Sequence, residues 1–361
     1  MDAQSAFVLR GGPGAIAHVA RHGLVPSDIA CMPAAAGGPK GLALLPLDRL
    51  LHREWLVKAP SVELIGASIG AWRMAALAQP DAPAALDRLQ HSYIHEQRYP
   101  ARPTASDVSR TCRRFASAVL GGGDLAVRDG IVLTIVTARA RGPLAHAESK
   151  LAFGRAVLSN SLSRRRLAAY LERVLFQAGG ESFLSAPFDD FGLARVRLDA
   201  HNQEDALLAS GTIPLVSSPV RDIPGAPHGN YWDGALVDYH LLLPYPRLIA
   251  ARAAAGRRSL VFYPHFNTWV TPGWLDKHLP WRKAPRRHPW LDHVLLVAPS
   301  TSLIARLPNQ KLPDRQDFYR YGANHAARER AWTGAIGECE RFAEAVLRWM
   351  ERPDPTLIQR I

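Results

Sequence analysis

The sequence predicts an α/β fold built on a parallel sheet, and three observations carry that prediction. Two segments pass from an apolar run through a glycine turn into a helical pattern. The first is Asp28–Ala36 (DIACMPAAA) entering Gly37-Gly38-Pro39-Lys40-Gly41, and the second is Val62–Ile65 entering Gly66-Ala67-Ser68-Ile69-Gly70. Successive strand–turn–helix units place helix N-termini along one edge of a parallel sheet. The third observation is Gly130–Ala138 (GIVLTIVTA), β-branched and almost free of charge, as a strand covered on both faces must be. With 361 residues, 47% of them hydrophobic and 21% charged, the chain can bury a substantial core.

In chain order, Ala6–Leu9 reads as a short strand followed by Gly11-Gly12-Pro13-Gly14 and a helix through Arg21. After the first glycine loop, Leu42–Leu56 carries Leu44, Leu47 and Leu51 at helical spacing. Helix formers follow the second turn as far as Ala78. Pro83–Val119 is helical and stops at Gly121-Gly122-Gly123. Ser163–Gln177 is predicted as a helix, with Ser163 as N-cap and Gly179 as stop. Arg195–Ala200 is a strand, Glu204–Ala209 a short helix, Ile213–Pro227 a proline-punctuated loop and Tyr231–Asp238 a strand or strand end. Ser259–Tyr263 and Val294–Val297 add two more strands, and Ala323–Met350 is a long closing helix with Gly334 and Gly337 as interruptions. Between those last strands Pro264–Leu291 stands apart, with Trp269, Trp274, Trp281 and Trp290 among Lys277, Arg282, Lys283, Arg286 and Arg287. No repeat or low-complexity linker divides the chain. It reads as a single domain over 1–361, with a Trp/Arg-rich insertion at 264–291 and a C-terminal helix at 323–350.

The formal net charge is +12, which draws a protein toward nucleic acid, an anionic membrane face or acidic substrates. Cys31, Cys112 and Cys339 make neither a disulfide framework nor a Cys-x-x-Cys site, so a reducing, cytoplasmic setting is expected. The N-terminus lacks the basic-then-apolar pattern of a signal peptide. No window approaches the roughly 18 apolar residues of a spanning helix, so membrane contact is expected to be peripheral.

Chemistry centres on Ser68. A serine between Gly66 and Gly70 at a strand-to-helix turn has its hydroxyl pushed over the sheet edge, with a helix N-terminus behind it. A serine needs a base to take its proton and donors for the oxyanion. Backbone N–H groups of Gly37, Gly38, Lys40 and Gly41 are the candidate oxyanion donors, because Pro39 has none. The Walker spacing that would make this loop a nucleotide cradle is absent. The base is either a histidine or a carboxylate, and Asp233-Gly234-Ala235 supplies an aspartate followed by small residues.

Taken in this order, Gly37–Gly41, Gly66–Gly70 and Asp233-Gly234-Ala235 resemble the signature of the patatin-like phospholipases. Ala209-Ser210-Gly211-Thr212-Ile213-Pro214, with Pro219, is similar to the segment that precedes the aspartate in that family. The resemblance covers roughly Ala34–Asp238. Ala36 and Ala235 stand where many members carry further glycines. What the resemblance implies is a three-layer α/β/α fold with a mainly parallel central sheet, and a Ser68–Asp233 dyad with no catalytic histidine. It also implies an oxyanion hole from the glycine loop, a lipid or other carboxylic ester as substrate, and no cofactor or metal.

The rival enzyme reading is an α/β-hydrolase with a Ser-Asp-His triad, for which His240, His265, His278, His288, His293 and His325 are available. Only two or three strands precede Ser68, which argues against it. His91-x-x-x-His95-Glu96 has two imidazoles on one helix face, but Ser92 occupies the position where a zincin needs glutamate, so a solvated face is expected. A binding-protein reading uses Pro264–Leu291, whose tryptophans and cations suit stacked bases or a lipid interface. Beside an acyl-hydrolase site the lipid reading is favoured over nucleic acid, with the segment as a lid or surface-binding flap against an anionic membrane. No pattern specifies an oligomeric state.

Overall fold

The computed structural model describes residues 6–100, 102–145, 150–282 and 288–361. Lys283, Arg286 and Arg287 of the tryptophan-rich segment lie outside the described residues. Among the described residues eleven strands form one sheet. They are β1 (Phe7–Gly11), β2 (Ile29–Ala34), β3 (Val62–Ala67), β4 (Ile131–Ala140), β5 (Leu171–Ala178), β6 (Leu193–Arg197), β7 (Val220–Arg221), β8 (Asn230–Asp233), β9 (Leu260–Pro264), β10 (Val294–Pro299) and β11 (Ile358–Arg360). The order is β11-β1-β10-β9-β2-β3-β4-β5-β6, with β8 also paired to β4 and β7 to β8. The central run β10-β9-β2-β3-β4 is parallel throughout. Its margins turn antiparallel, at β1 against β10 and at β5 and β8 against β4.

Every residue of β2, β3, β9 and β10 is buried. Strands can be apolar without alternation only where helices cover both faces of the sheet. The helices are α1 (Pro13–His22), α2 (Leu45–Glu54), α3 (Ile69–Leu77), α4 (Ala82–His95), α5 (Ala105–Leu120), α6 (Lys150–Leu162), α7 (Arg164–Leu167), α8 (Gln203–Ser210), α9 (Ala235–Asp238), α10 (Tyr245–Ala254), α11 (Thr301–Ile304), α12 (Gln316–Tyr321) and α13 (His325–Glu351). One layer is the packed group α2, α3, α4, α5 and α13; α1 and α10 lie on the opposite side against β9, β10 and β2. The fold is therefore a three-layer α/β/α arrangement on a mainly parallel sheet. Among the described residues no helix is long and apolar enough to cross a membrane.

Four local expectations are corrected. Ser163–Gln177 is not a helix: after the single turn α7 the chain becomes β5, and the helix of this region is α6 upstream. The charges in LERVLFQA mislead, because Arg173 is not a surface residue. It is fully buried, with Nε 2.5 Å from Asp238 Oδ2 and Nη2 2.8 Å from Asp189 Oδ2. Tyr231–Asp238 is a strand only as far as Asp233, whose carboxylate accepts the Ala235 N–H at 2.8 Å and so turns the chain into α9. The helix over Leu42–Leu56 starts as a 3-10 helix, Gly38–Leu44, and becomes α2 at Leu45. Gly334 and Gly337 do not interrupt α13; both face solvent, while Trp332, Ala335, Ile336, Cys339 and Phe342 form the buried stripe that holds the helix.

Candidate active site

Ser68 sits at the end of β3 with φ 58° and ψ −132°, a backbone region that non-glycine residues rarely adopt and that costs of order 1–3 kcal/mol. Its surroundings impose that geometry. A side chain at Gly70 would put its Cβ 2.0 Å from the Ala34 carbonyl oxygen, so α3 leaves the turn pressed against the end of β2. The Ser68 N–H donates to Ser210 Oγ at 2.9 Å, and Ser210 Oγ donates to the Val136 carbonyl at 2.8 Å. One buried hydroxyl thereby ties the serine turn to β4. Behind it α3 is buried along its whole length and anchored by Arg73, which grips Asp48 of α2 with bonds of 2.6 and 2.8 Å.

Asp233 reaches Ser68 through sheet register. On one side of β4, β3 pairs from Val62↔Ile131 to Ala67↔Val136, and β8 continues that same side in the opposite direction with Asp233↔Thr137. The C-terminal ends of β3 and β8 thus meet head-on across consecutive residues of β4. Both side chains are buried, at 5% exposure for Ser68 and 4% for Asp233. Burial pushes the Asp233 carboxyl up to about 6, against the opposing pull of the Ala235 N–H, a hydrogen bond with the Ser68 side chain and the charge of Arg315.

The glycine loop forms the facing wall. Gly37, Gly38 and Lys40 line a cavity of about 230 Å³ together with Ser68 and Asp233. Gly41 does not line it; a Cβ there would lie 2.7 Å from the Ile69 side chain. Gly38 has φ 56°, which favours glycine, and it opens the 3-10 helix. At such an N-terminus the first backbone N–H groups have no intrahelical acceptor, and Pro39 contributes none. Gly37 and Gly38 stand at the front of the loop and share the cavity lining with Ser68.

No histidine lines this cavity among the described residues. His240 and His265 are buried elsewhere with ring centroids 4.4 Å apart. Each accepts a backbone N–H at Nδ1, from Thr271 at 3.1 Å and Asn267 at 2.7 Å. Burial pushes His240 down to about 3 and His265 downward as well, so both are neutral. His95 bonds Glu329 at 3.0 Å, and the His91 and His95 rings lie 4.9 Å apart. Sequence reasoning missed several lining residues, among them Tyr239, Arg315 and Gln316. Lys277 and Trp274 do belong to the tryptophan-rich segment, but Arg315 belongs to no motif.

No family model and no curated protein matches the chain. Among solved structures, the type III effector protein ExoU is similar to it at 15% identity, with a TM-score of 0.21, over 91% of this chain and 64% of that one. The chain therefore spans less than two thirds of the length of that structure.

Proposed function

We propose that the chain is a serine acyl hydrolase of patatin type that cleaves carboxylic esters of lipids through an acyl-enzyme. The observation that carries this reading is the head-on ending of β3 and β8, which gives a strained Ser68 and a buried Asp233 one cavity that no histidine lines among the described residues. In the proposed cycle Ser68 Oγ attacks the ester carbonyl and its proton passes to Asp233. N–H groups of the Gly37–Gly38 turn hold the oxyanion. Collapse breaks the bond to the alcohol, which leaves with the proton from Asp233. Water then attacks the acyl-enzyme, losing a proton to Asp233, and the acid departs as that proton returns to Ser68 Oγ.

Two features support a lipid substrate presented at a surface. Helix α6 exposes Leu151, Val157, Leu158 and Leu162, and Trp269 and Trp281 are exposed on the tryptophan-rich segment. Lys150, Arg155, Arg165 and Arg166 are exposed on and beside the helix. The two elements are bonded together: Arg282 donates to the Asn160 carbonyl at 3.1 Å, and Asn160 Nδ2 donates to Asp276 at 2.9 Å. Trp274 and Lys277, on the same turn as Asp276, line the cavity. Apolar side chains fringed by cations beside the mouth suit peripheral contact with an anionic membrane. The free thiols of Cys31, Cys112 and Cys339 suit a reducing cytoplasm.

Intact-mass labelling with a fluorophosphonate tests the reading. One adduct on the wild type, lost in folded Ser68→Ala and Asp233→Asn, supports the dyad; an adduct that survives Ser68→Ala overturns it.

A further inference from the structure

Three cations converge on the cavity from separate parts of the chain: Lys40 from the glycine loop, Lys277 from the turn Trp274–His278, and Arg315 from the residue preceding α12. None of them forms an ion pair among the described residues. Asp314, the neighbouring carboxylate, is engaged by Lys311 Nζ at 2.9 Å. The other carboxylate on the lining is Asp233, which has Ser68 and the Ala235 N–H as partners. Lys40 has an aromatic neighbour, its ammonium 5.5 Å from the Phe266 ring centroid. Burial and the charges of Arg315 and Lys40 hold the Lys277 ammonium below its ordinary value, and burial lowers Lys40 against the opposing charge of Asp314. Lys40, Lys277 and Arg315 outnumber the two carboxylates of the lining, Asp233 and Asp314, so the cavity carries an excess of positive charge that favours an anion.

We propose that Lys40, Lys277 and Arg315 form an anion subsite, and that the ester cleaved at Ser68 carries a phosphate or carboxylate close to its scissile carbonyl. The proposal rests on the acyl-hydrolase reading for the identity of the bond broken, but not for the anion itself. A guanidinium offers a planar two-pronged donor set to an oxyanion, and the two ammoniums add point charges around it. Such an oxyanion belongs either to the headgroup of an anionic lipid or to a soluble phosphate ester.

The test follows the rate of fluorophosphonate labelling of Ser68 in the full chain as inorganic phosphate rises, with ionic strength held constant by chloride. Lys277→Gln/Arg315→Gln is the comparison variant, because both side chains are exposed and their loss leaves the core intact. Phosphate should slow labelling of the wild type saturably, and the double variant should need at least about tenfold more of it, the loss expected when charge-assisted bonds are removed. Equal protection of both proteins, or none of the wild type, overturns the subsite even if Ser68 labels normally. If Ser68 never labels, calorimetric titration with phosphate decides: weaker binding by the variant keeps the subsite while the hydrolase reading falls, and equal binding removes both. Glycerol phosphate and phosphatidylglycerol vesicles, with phosphatidylcholine vesicles as the less charged control, assign the source. Stronger protection per phosphate by the soluble ester points to a soluble substrate, and stronger protection by the vesicles points to a lipid headgroup.

Discussion

Replacing Asp233 by asparagine should separate stability from turnover. The carboxyl is pushed from its ordinary 3.8 up to about 6, with burial as the largest cause, so the folded protein holds this proton more tightly than the unfolded chain does. Between those two values the native state binds more protons than the unfolded state, and stability due to this group falls as pH rises. Above about pH 6 the full cost of an ionised, buried carboxylate is present. A shift of roughly two units corresponds to about 3 kcal/mol. Asparagine keeps an oxygen for the Ala235 N–H, which lies 2.8 Å away in the wild type, and carries no charge to bury. Asp233→Asn should therefore exceed the wild type by up to about 3 kcal/mol near pH 8, by about half that near pH 5, and by nothing once the unfolded carboxyl is protonated too. Its esterase activity should be lost. Urea denaturation at the two pH values reads the difference directly. A variant whose deficit relative to the wild type grows from pH 5 to pH 8 would refute the reasoning, because it would mean that the ionised carboxylate is held favourably; a difference that does not change with pH would refute it too, because the carboxyl would then be unperturbed by folding.

Three further outcomes are expected. If Asp233 accepts the Ser68 proton, kcat/KM should rise with pH through an apparent value of about 6, and a flat profile across that region would remove Asp233 as the base. Gly70→Ala would place a methyl group 2.0 Å from the Ala34 carbonyl oxygen; overpacking against backbone should cost at least about 3 kcal/mol, seen as a lower thermal midpoint and lost labelling of Ser68. Arg173→Leu would leave Asp238 and Asp189 without their buried cation, a loss of about 3–5 kcal/mol in thermal or urea unfolding. Turnover should fall with it, because Asp238 ends the short helix that follows Asp233.

The parts of the site that were legible in the sequence are those whose cause is local. Gly66 and Gly70 flank Ser68 because the backbone has no room for a Cβ at either place, so the turn leaves its mark within five residues. The strands β2, β3, β4, β9 and β10 were legible for a similar reason, since covered strands of a parallel sheet must be apolar nearly throughout. Asp233 was one candidate base by its residues and was singled out only through the family resemblance. An Asp-Gly pair is an ordinary turn, and what distinguishes this one is its register opposite Thr137, fixed by a pairing between strands nearly a hundred residues apart. β5 was misread because Glu172 and Arg173 look like a helix surface until their partners are known. Asp238 lies 65 positions from Arg173, and no window of helical or strand periodicity reaches that far.

The same contrast explains why the cationic rim of the cavity went unseen although the net charge was plain. A sum over the chain reports attraction to anions in general, whereas recognition of one anion requires cations that face a common point and lack acids of their own. Lys311 and Arg315 illustrate the difference four residues apart. Lys311 is spent on Asp314 and Asp317, at 2.9 and 2.6 Å, while Arg315 faces the cavity beside Gly38 and acts on Asp233 through its charge. The acids that neutralise one and spare the other come from the same short segment, so the sorting is done by the fold. An anion drawn to Arg315 would weaken its hold on the Asp233 charge and raise the carboxyl further. Bound phosphate should therefore move the pH dependence of Ser68 labelling upward, and a profile unmoved by saturating phosphate would mean that the anion and the base do not sense one another.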